Sequence, residues 1–590
     1  MKRTTWIVAV CLLLLAFAVR LQGLTATSLW YDETFMLYHA EQPVGRAVLG
    51  LLQEDNALPL HGLLLALWVK VAGVGEFAGR FLSVLLGLLG VAFVFRLGAA
   101  VTGRREGGWG AALAIATLPI HVYYAQEVRM YALAVSLAAA FGWRSWHLVQ
   151  AGRGERGYVL WGALMLISHL YAGLLWATVL IWGTAVLLLR GARLRRWLHT
   201  NLLLGVVALP VAGWALWRMQ ADATAGASVS PTVVRTLPAS FGVAQYLELP
   251  WSALFTAVTL VSLATAVVGL LYLRRGAAAL WIVAGLFLPV LLLLVAALLK
   301  PKWNERYLLA SLGVVLVVGV GVGWELLRRY LPIVAVTFTT LWLILTLPAN
   351  LLQARGVRAL VVQDEWHPRP DFRAVARYIE EHDTPRDAIA VVSGYAAHTL
   401  DYYYDGPAHL FGLPPDVRVL DLRHLFDMRA LEVLQAQVGD AERLWLVLWQ
   451  ESLTDPTQLV QSVLVDSCEL QPVQERFLNV GVLLFDLSSC KPLDQLARPV
   501  YPQNVPFNAP IYLVGYDVIR TGETWEVDLW WRTEDRLPET YHVFVHLLSS
   551  EGELVSQHDH IAGADLYPTP DWDPGTYLRD RFYLIEPGGY

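Results

Sequence analysis

Apolar residues dominate the chain up to about Leu351, in runs that approach or reach the length of a bilayer crossing, among them Trp6 to Val19, Val258 to Leu273 and Trp281 to Leu299. Beyond that point charge and short alternating runs take over. The pattern predicts helices at about 6–22, 80–101, 107–123, 130–149, 158–171, 173–189, 198–217, 251–273, 278–299, 306–327 and 331–349, about eleven spans. Leu58 to Val74 is also apolar, but counting it as a span reverses the parity of everything after it. It is read as a helix lying at the outer interface or dipping into it, with Lys70 snorkelling.

That parity comes from the basic residues, because Lys and Arg close to helix ends resist export. Lys2 with Arg3, Arg104 with Arg105, Arg153 with Arg156, Arg190 to Arg196, Arg274 with Arg275, and Arg328 with Arg329 all fall on one side. Taking it as cytoplasmic puts the N-terminus inside and the C-terminal region outside, in a multi-pass protein of the cell membrane. The outer connections are then residues 23–79 (the first extracytoplasmic loop), the turns Tyr123–Arg129 and His169–Tyr171, residues 218–250, and Lys300–Arg306. The opening Met-Lys-Arg and apolar run also has the make-up of a signal peptide with a small-residue site near Ala26 to Ser28, and cleavage there leaves the following loop outside all the same.

Residues 351–496 read as an α/β domain. Asp371 to Ile379 has helical periodicity, Ala388 to Ser393 is a short buried strand, and Leu431 to Val438 with Leu444 to Leu448 repeats the pairing. Residues 497–590 alternate with a period of two, most clearly in Trp525 to Trp531 and Tyr541 to Leu547, which predicts a β-sandwich open to further strands beyond Tyr590. Gly394-Tyr395 and Asp401 to Tyr404 suit either an acceptor groove or aromatic packing. Asp559, His560 and Asp565 among aromatics suit carbohydrate binding or a packed core.

Composition agrees with the pattern: 590 residues that are 56% hydrophobic and 16% charged make a polytopic membrane protein. A net charge of -6 lacks the broad basic surface that phosphates along a duplex demand, which excludes nucleic acid as the main partner. Of three cysteines, Cys468 and Cys490 lie in the polar region, where export would allow a disulfide.

Against this apolar background a few charged residues stand out. Asp32 and Glu33 follow the first helix in Ser28-Leu-Trp-Tyr-Asp-Glu-Thr-Phe35. Carboxylates at bilayer depth cost about 2.5 to 3.5 kcal/mol each, so they persist at the interface or in a polar cavity, and their default reading is functional. An acidic first helical turn is the alternative. Tyr123-Tyr-Ala-Gln-Glu-Val-Arg-Met-Tyr131 packs an acid, a base and phenols together, and helical spacing would set Glu127 and Tyr131 on one face. A guanidinium at the outer interface can clasp a phosphate through two hydrogen bonds, or it can pair with Glu127. Lys300-Pro-Lys-Trp-Asn-Glu-Arg-Tyr307 puts Lys302 and Arg306 on the outside, against the usual inside preference, for anion capture or for snorkelling. Glu54-Asp-Asn-Ala-Leu-Pro-Leu-His61 and Ser168-His-Leu-Tyr171 add Asp55, His61 and His169, which are equally at home in a helix start and a turn.

Taken together, Leu29 to Glu33, Asp55 to His61, Tyr123 to Tyr131, Ser168 to Tyr171 and Glu305-Arg-Tyr307 resemble the GT-C membrane glycosyltransferases, in the branch of the protein O-mannosyltransferases and aminoarabinose transferases. The resemblance covers residues 1–350. It implies an enzyme that moves a sugar from a polyprenyl-phosphate donor to a hydroxyl of a protein, lipid or glycan at the extracytoplasmic face, with inversion. By position it implies catalytic roles for Asp32 and Glu33 and donor-phosphate binding by Arg129, Lys302 and Arg306. Asp55, His61, Tyr124, Glu127, His169 and Tyr307 become substrate-binding candidates. Where aminoarabinose transferases have a Lys before a Pro-Pro pair, this chain has Asn56-Ala-Leu-Pro59, which leaves sugar and acceptor open. Asp32, Glu33 or Asp55 would be the ligands of a divalent cation such as Mg or Mn, if one takes part. The alternatives are a lipid-linked sugar transporter or flippase, and a membrane-anchored carbohydrate-binding protein.

Overall fold

The computed structural model describes residues 3–54, 58–191, 194–221, 237–238, 240–248, 250–299, 303–355, 369–415, 417–419, 426–490, 496, 498–563 and 567–586. They form two compact units, Met1–Pro368 and Arg369–Tyr590.

The first unit is helical. It contains α1 (Arg3–Leu21), α2 (Tyr31–Glu41), α3 (Val44–Glu54), α4 (Pro59–Ala72), α5 (Glu76–Thr102), α6 (Arg105–Thr117), α7 (Pro119–Tyr124) and α8 (Tyr131–Ala151). Then come α9 (Glu155–Leu166), α10 (Gly173–Leu189), α11 (Leu194–Ala221), α12 (Trp251–Tyr272), α13 (Gly276–Leu299), α14 (Val314–Tyr330) and α15 (Pro332–Ala354). Among the described residues seven stretches are long and apolar enough to cross a membrane: Glu76–Thr102, Leu170–Leu189, Leu194–Arg218, Trp251–Tyr272, Gly276–Leu298, Glu305–Tyr330 and Pro332–Ala354. The remaining expected spans fall on α1, on α6 with α7, on α8 and on α9. The chain is a multi-pass membrane protein. At 14 residues, α4 extends about 21 Å, short of the hydrocarbon thickness.

Two local departures from the sequence pattern matter for the site. The expected span 107–123 is two helices, because Pro119 has no N–H to donate and holds Leu118 in an extended conformation. The carbonyls left without a helical partner are capped from other elements. Arg20, 1% exposed near the end of α1, donates from Nη2 to Ile115 O at 2.9 Å and from Nη1 to Ala116 O at 3.0 Å. Asn350 on α15 donates to Thr117 O at 2.7 Å. A buried cation at the C-terminal end of α6 also meets the negative end of that helix. Arg20→Met strands these carbonyls and is expected to cost about 1 to 3 kcal/mol. Thermal unfolding in detergent checks this, and an unchanged midpoint contradicts it. The second departure is at 125–130, which forms turns between α7 and α8, so Glu127 and Tyr131 do not share a helix face as their spacing predicts.

The stretch 305–330 runs buried along almost its whole length. Its alternating Val and Gly permit this. A Cβ at Gly321 would lie 2.2 Å from Ala111 N of α6, and one at Gly323 would lie 2.1 Å from Ser262 O of α12. Small residues let the backbones meet where bulkier ones would hold them apart.

The second unit begins with α16 (Phe372–His382) and β1 (Asp387–Val392), followed by α17 (Ala397–Asp401), β2 (His409–Leu413), α18 (Arg429–Val438), β3 (Arg443–Leu448), α19 (Leu459–Ser467), β4 (Glu469–Gln471) and β5 (Gly481–Asp486). The sheet order is β2-β1-β3-β5-β4, with β1 parallel to β2 and β3, and β5 antiparallel to β3 and β4. Every residue of β1 is buried, as expected of a central strand covered on both faces. A Cys468–Cys490 disulfide clips the end of α19 to the residues after β5. The remaining strands are β6 (Tyr501–Pro506), β7 (Ile511–Thr521), β8 (Thr524–Thr533), β9 (His542–Leu548), β10 (Leu554–Ile561) and β11 (Tyr577–Ile585). They make a four-stranded antiparallel sheet in the order β11-β8-β7-β6 and a β9–β10 hairpin. Trp531, Trp572, Leu578 and Val543 pack between the two. On the opposite face Trp530 enters the core of the mixed sheet, beside Leu446, Leu434 and Val463. The α/β and all-β parts therefore share a core within one unit. Tyr395 and Tyr404 are buried there, with the Tyr395 hydroxyl donating to Gln450 at 2.9 Å. His560 is buried against Asp580 at 2.9 Å, and Asp565 lies outside the described residues.

Candidate active site

The chain leaves α1, turns, and re-enters a helix at Tyr31, so Asp32 and Glu33 stand in the first turn of α2, where the helix dipole favours carboxylates. The neighbours then take different partners. Glu33 is fully buried in a two-point ion pair with Arg80 of α5, whose Nε and Nη2 donate to its oxygens at 2.9 and 2.7 Å. The other Arg80 hydrogens go to Leu24 O (2.8 Å), Thr27 O (2.8 Å) and Ser28 O (3.0 Å) of the preceding turn. Glu33 Oε1 also accepts from Val128 N at 3.1 Å. One buried carboxylate thus ties the residue next to Asp32 to the residue next to Arg129.

Asp32 itself faces two guanidiniums. Its Oδ2 lies 3.7 Å from Arg129 Nη2 and 3.5 Å from Arg306 Nη1. Both separations exceed a hydrogen bond, so these are electrostatic contacts with room for rearrangement. Arg129 comes from the 125–130 turns. Arg306 comes from the 3-10 turn Glu305–Leu308, where the Asn304 side chain accepts from Arg306 N at 3.1 Å. A π-helical turn, Leu309–Gly313, follows before α14 begins, and such turns concentrate at functional sites.

Aromatic rings wall the site. Tyr171 and Tyr307 stack at 4.0 Å and 8°. His169 sits 5.4 Å from Tyr131 and 5.9 Å from Tyr171, and Tyr124 lies 4.7 Å from Tyr131. The Arg306 guanidinium lies 5.8 Å from the Tyr131 ring and 5.9 Å from the Tyr307 ring. Several buried polar atoms have no hydrogen-bond partner among the described residues: Asp32 Oδ2, Arg306 Nε, both ring nitrogens of His61 and Nδ1 of His169. Buried polar atoms of folded proteins are rarely left so, and those near Arg129 and Arg306 have hydrogen-bonding capacity that a polar ligand could take up. His61 and His169 both lie within the electrostatic reach of Arg129. Glu127 is buried in the same turn as Arg129. Asp55 and Lys302 lie outside the described residues.

No family model and no curated protein matches this chain. Solved structures do match. The crystal structure of ArnT from Cupriavidus metallidurans bound to undecaprenyl phosphate superposes with a TM-score of 0.51 at 16% identity, covering 83% of this chain and 100% of that one. The fold is that of the GT-C glycosyltransferases. The apo form of the same ArnT gives 0.51 at 17% identity with the same coverage. The archaeal oligosaccharyltransferase AglB from Archaeoglobus fulgidus, in complex with an inhibitory peptide and a dolichol-phosphate, gives 0.44 at 11% identity, covering 81% of this chain and 74% of that one.

Within the helical unit the structure brings together Asp32, Arg129, Arg306, Tyr124, Tyr131, His169 and Tyr307 from four separate stretches of chain. Sequence reasoning missed Arg80. Its signal was a lone cation at the head of the second expected span, a position that a rule about sidedness passes over. As to a cation, Glu33 is already engaged by Arg80 and Val128, and Asp32 faces two positive charges. Among the described residues no three His, Cys, Asp or Glu side chains gather as a metal site. The residues in place suit guanidinium partners and an anionic ligand better than a divalent ion.

Proposed function

We propose that this protein is a glycosyltransferase that takes a sugar from a polyprenyl-phosphate carrier and passes it to a hydroxyl of a protein, lipid or glycan at the extracytoplasmic face. The observation that carries the reading is the Asp32 carboxylate set between Arg129 and Arg306 among buried, unpartnered polar atoms. Arg129 and Arg306 bind the carrier phosphate, whose oxygens replace Asp32 as their partner. Asp32, released from both, accepts the proton of the acceptor hydroxyl as that oxygen attacks the anomeric carbon. The bond from the anomeric carbon to the phosphate oxygen breaks, and the charge of the departing phosphate falls on the two guanidiniums. One displacement inverts the anomeric centre. Glu33 in this reading holds position and does not react. His61, His169 and the Tyr171–Tyr307 stack contact the sugar.

Two features support the sidedness. The basic clusters of the helix connections fall on the opposite side of the span count from Asp32. The Cys468–Cys490 disulfide is the chemistry of an oxidising compartment. A transporter would need ionisable groups along the depth of the bundle, whereas Asp32, Arg129 and Arg306 lie together at one set of helix ends.

The test uses purified full-length protein in nanodiscs with radiolabelled polyprenyl-phosphate sugars. Transfer of label to an acceptor or to water supports the reading, and movement of intact donor between leaflets without cleavage overturns it. Arg306→Met is expected to weaken binding of undecaprenyl phosphate by about tenfold to a hundredfold, the worth of one charge-assisted hydrogen-bonding partner. Unaltered donor KM and kcat would remove Arg306 from the site.

A further inference from the structure

The β9–β10 hairpin has two unlike faces. The inner one packs Val543 into the core between the sheets, and its polar side chains serve the neighbouring strand: His558 Nδ1 accepts from Tyr583 N at 2.8 Å and the Ser556 hydroxyl oxygen accepts from Ile585 N at 3.1 Å. The outer face is built from the alternate residues. Strand register sets Phe544 opposite Asp559, and His546 opposite Gln557.

Phe544 is 64% exposed, the most exposed aromatic among the large hydrophobics described in this unit. The His542 ring neighbours it on the same face, with centroids 6.4 Å apart and ring planes 26° from parallel. Next to these rings stand a carboxylate, an imidazole and a carboxamide. Asp559 Oδ1 is 3.8 Å from His546 Nε2, and Gln557 is exposed. Core packing accounts for none of these outward side chains.

An aromatic plate flanked by planar acceptors and donors matches the two sides of a pyranose ring, whose C–H face is apolar and whose rim carries hydroxyls. Charge narrows the class of ligand. No Lys or Arg occurs between Tyr541 and Ile561, while Glu551, Glu553 and Asp559 do. The hairpin therefore disfavours phosphates, anionic headgroups and acidic glycans, and suits neutral or amino sugars.

We propose that the outer face of the β9–β10 hairpin, centred on Phe544 and Asp559 with His542, His546 and Gln557, is a binding site for a neutral or amino-sugar glycan. The site stands apart from the Asp32 centre in the chain and needs none of its chemistry. In a glycosyltransferase it would hold a glycan strand near the enzyme while the transfer centre acts elsewhere.

The test titrates the full-length protein in nanodiscs with chitotetraose, mannotetraose and maltotetraose by saturation-transfer NMR. Saturable binding of at least one is expected, weakened about tenfold by Phe544→Ala and also by Asp559→Asn. Transfer to a single-sugar acceptor stays at the wild-type rate in both variants. Phe544 is exposed, so its removal leaves the core intact, and an unchanged circular dichroism spectrum verifies that. Absence of saturable binding by all three, or unchanged affinity in Phe544→Ala, overturns the proposal. So does quenching of a Phe544→Trp reporter by brominated lipid in the nanodisc, which would make the face a lipid contact. Loss of transfer with glycan binding intact would concern Asp32 alone.

Discussion

Asp32→Asn is expected to lower the rate of sugar transfer by about a hundredfold to ten-thousandfold, the usual worth of a general base, while leaving fold and donor binding in place. The substitution keeps the shape of the side chain and its position in the first turn of α2, and removes the charge that can take a proton. It also removes the negative partner of Arg129 and Arg306, now 3.7 and 3.5 Å away. Two guanidiniums without a counter-charge bind an anion at least as well as before. The signature is therefore a collapse of kcat with donor KM unchanged or lower. Steady-state transfer from a labelled polyprenyl-phosphate sugar, together with undecaprenyl phosphate binding, separates the two quantities. Wild-type turnover in a folded variant would take Asp32 out of the mechanism.

Arg80→Met is expected to destabilise the helical unit by about 3 to 5 kcal/mol, the cost of breaking a buried ion pair from one side. The fully buried carboxylate of Glu33 would lose its counter-charge, and the carbonyls of Leu24, Thr27 and Ser28 would lose their donors. Removing both partners in Glu33→Leu/Arg80→Met should cost less than the sum of the single changes, because no charge is then left stranded. Thermal unfolding in detergent measures all three variants. Additive effects, or a wild-type midpoint for Arg80→Met, would show that the pair does not hold the turn. The functional consequence is indirect: Glu33 adjoins Asp32 and binds the amide next to Arg129, so loosening it separates Asp32 from Arg129.

The elements that could be read from the chain were those governed by local periodicity. Long apolar runs gave the spans, alternation gave β8 and β9, and the five apolar residues Ala388–Val392 gave β1. At Pro119 the period alone misleads, because the proline divides the run into two helices. Charged residues that break an apolar pattern were conspicuous for the same reason, and Asp32, Arg129 and Arg306 could be picked out as an expected constellation without knowing their distances. Lys302 and Asp55 were picked out on the same grounds and lie outside the described residues.

Pairing was another matter. Glu33 and Arg80 are 47 positions apart, and Arg20 caps a carbonyl 95 positions away. No window on the sequence relates such residues. Two neighbouring carboxylates looked alike as letters, yet helical geometry turns them in different directions, one into a closed ion pair with Arg80 and one toward Arg129 and Arg306. Local periodicity and the energetic cost of charge in an apolar setting thus determined, from sequence by itself, that this is a polytopic membrane protein with acids and bases at its helix ends. Which carboxylate is sealed and which is offered depended on how the helices pack, since only packing brings distant charges within a few ångströms and shuts out water.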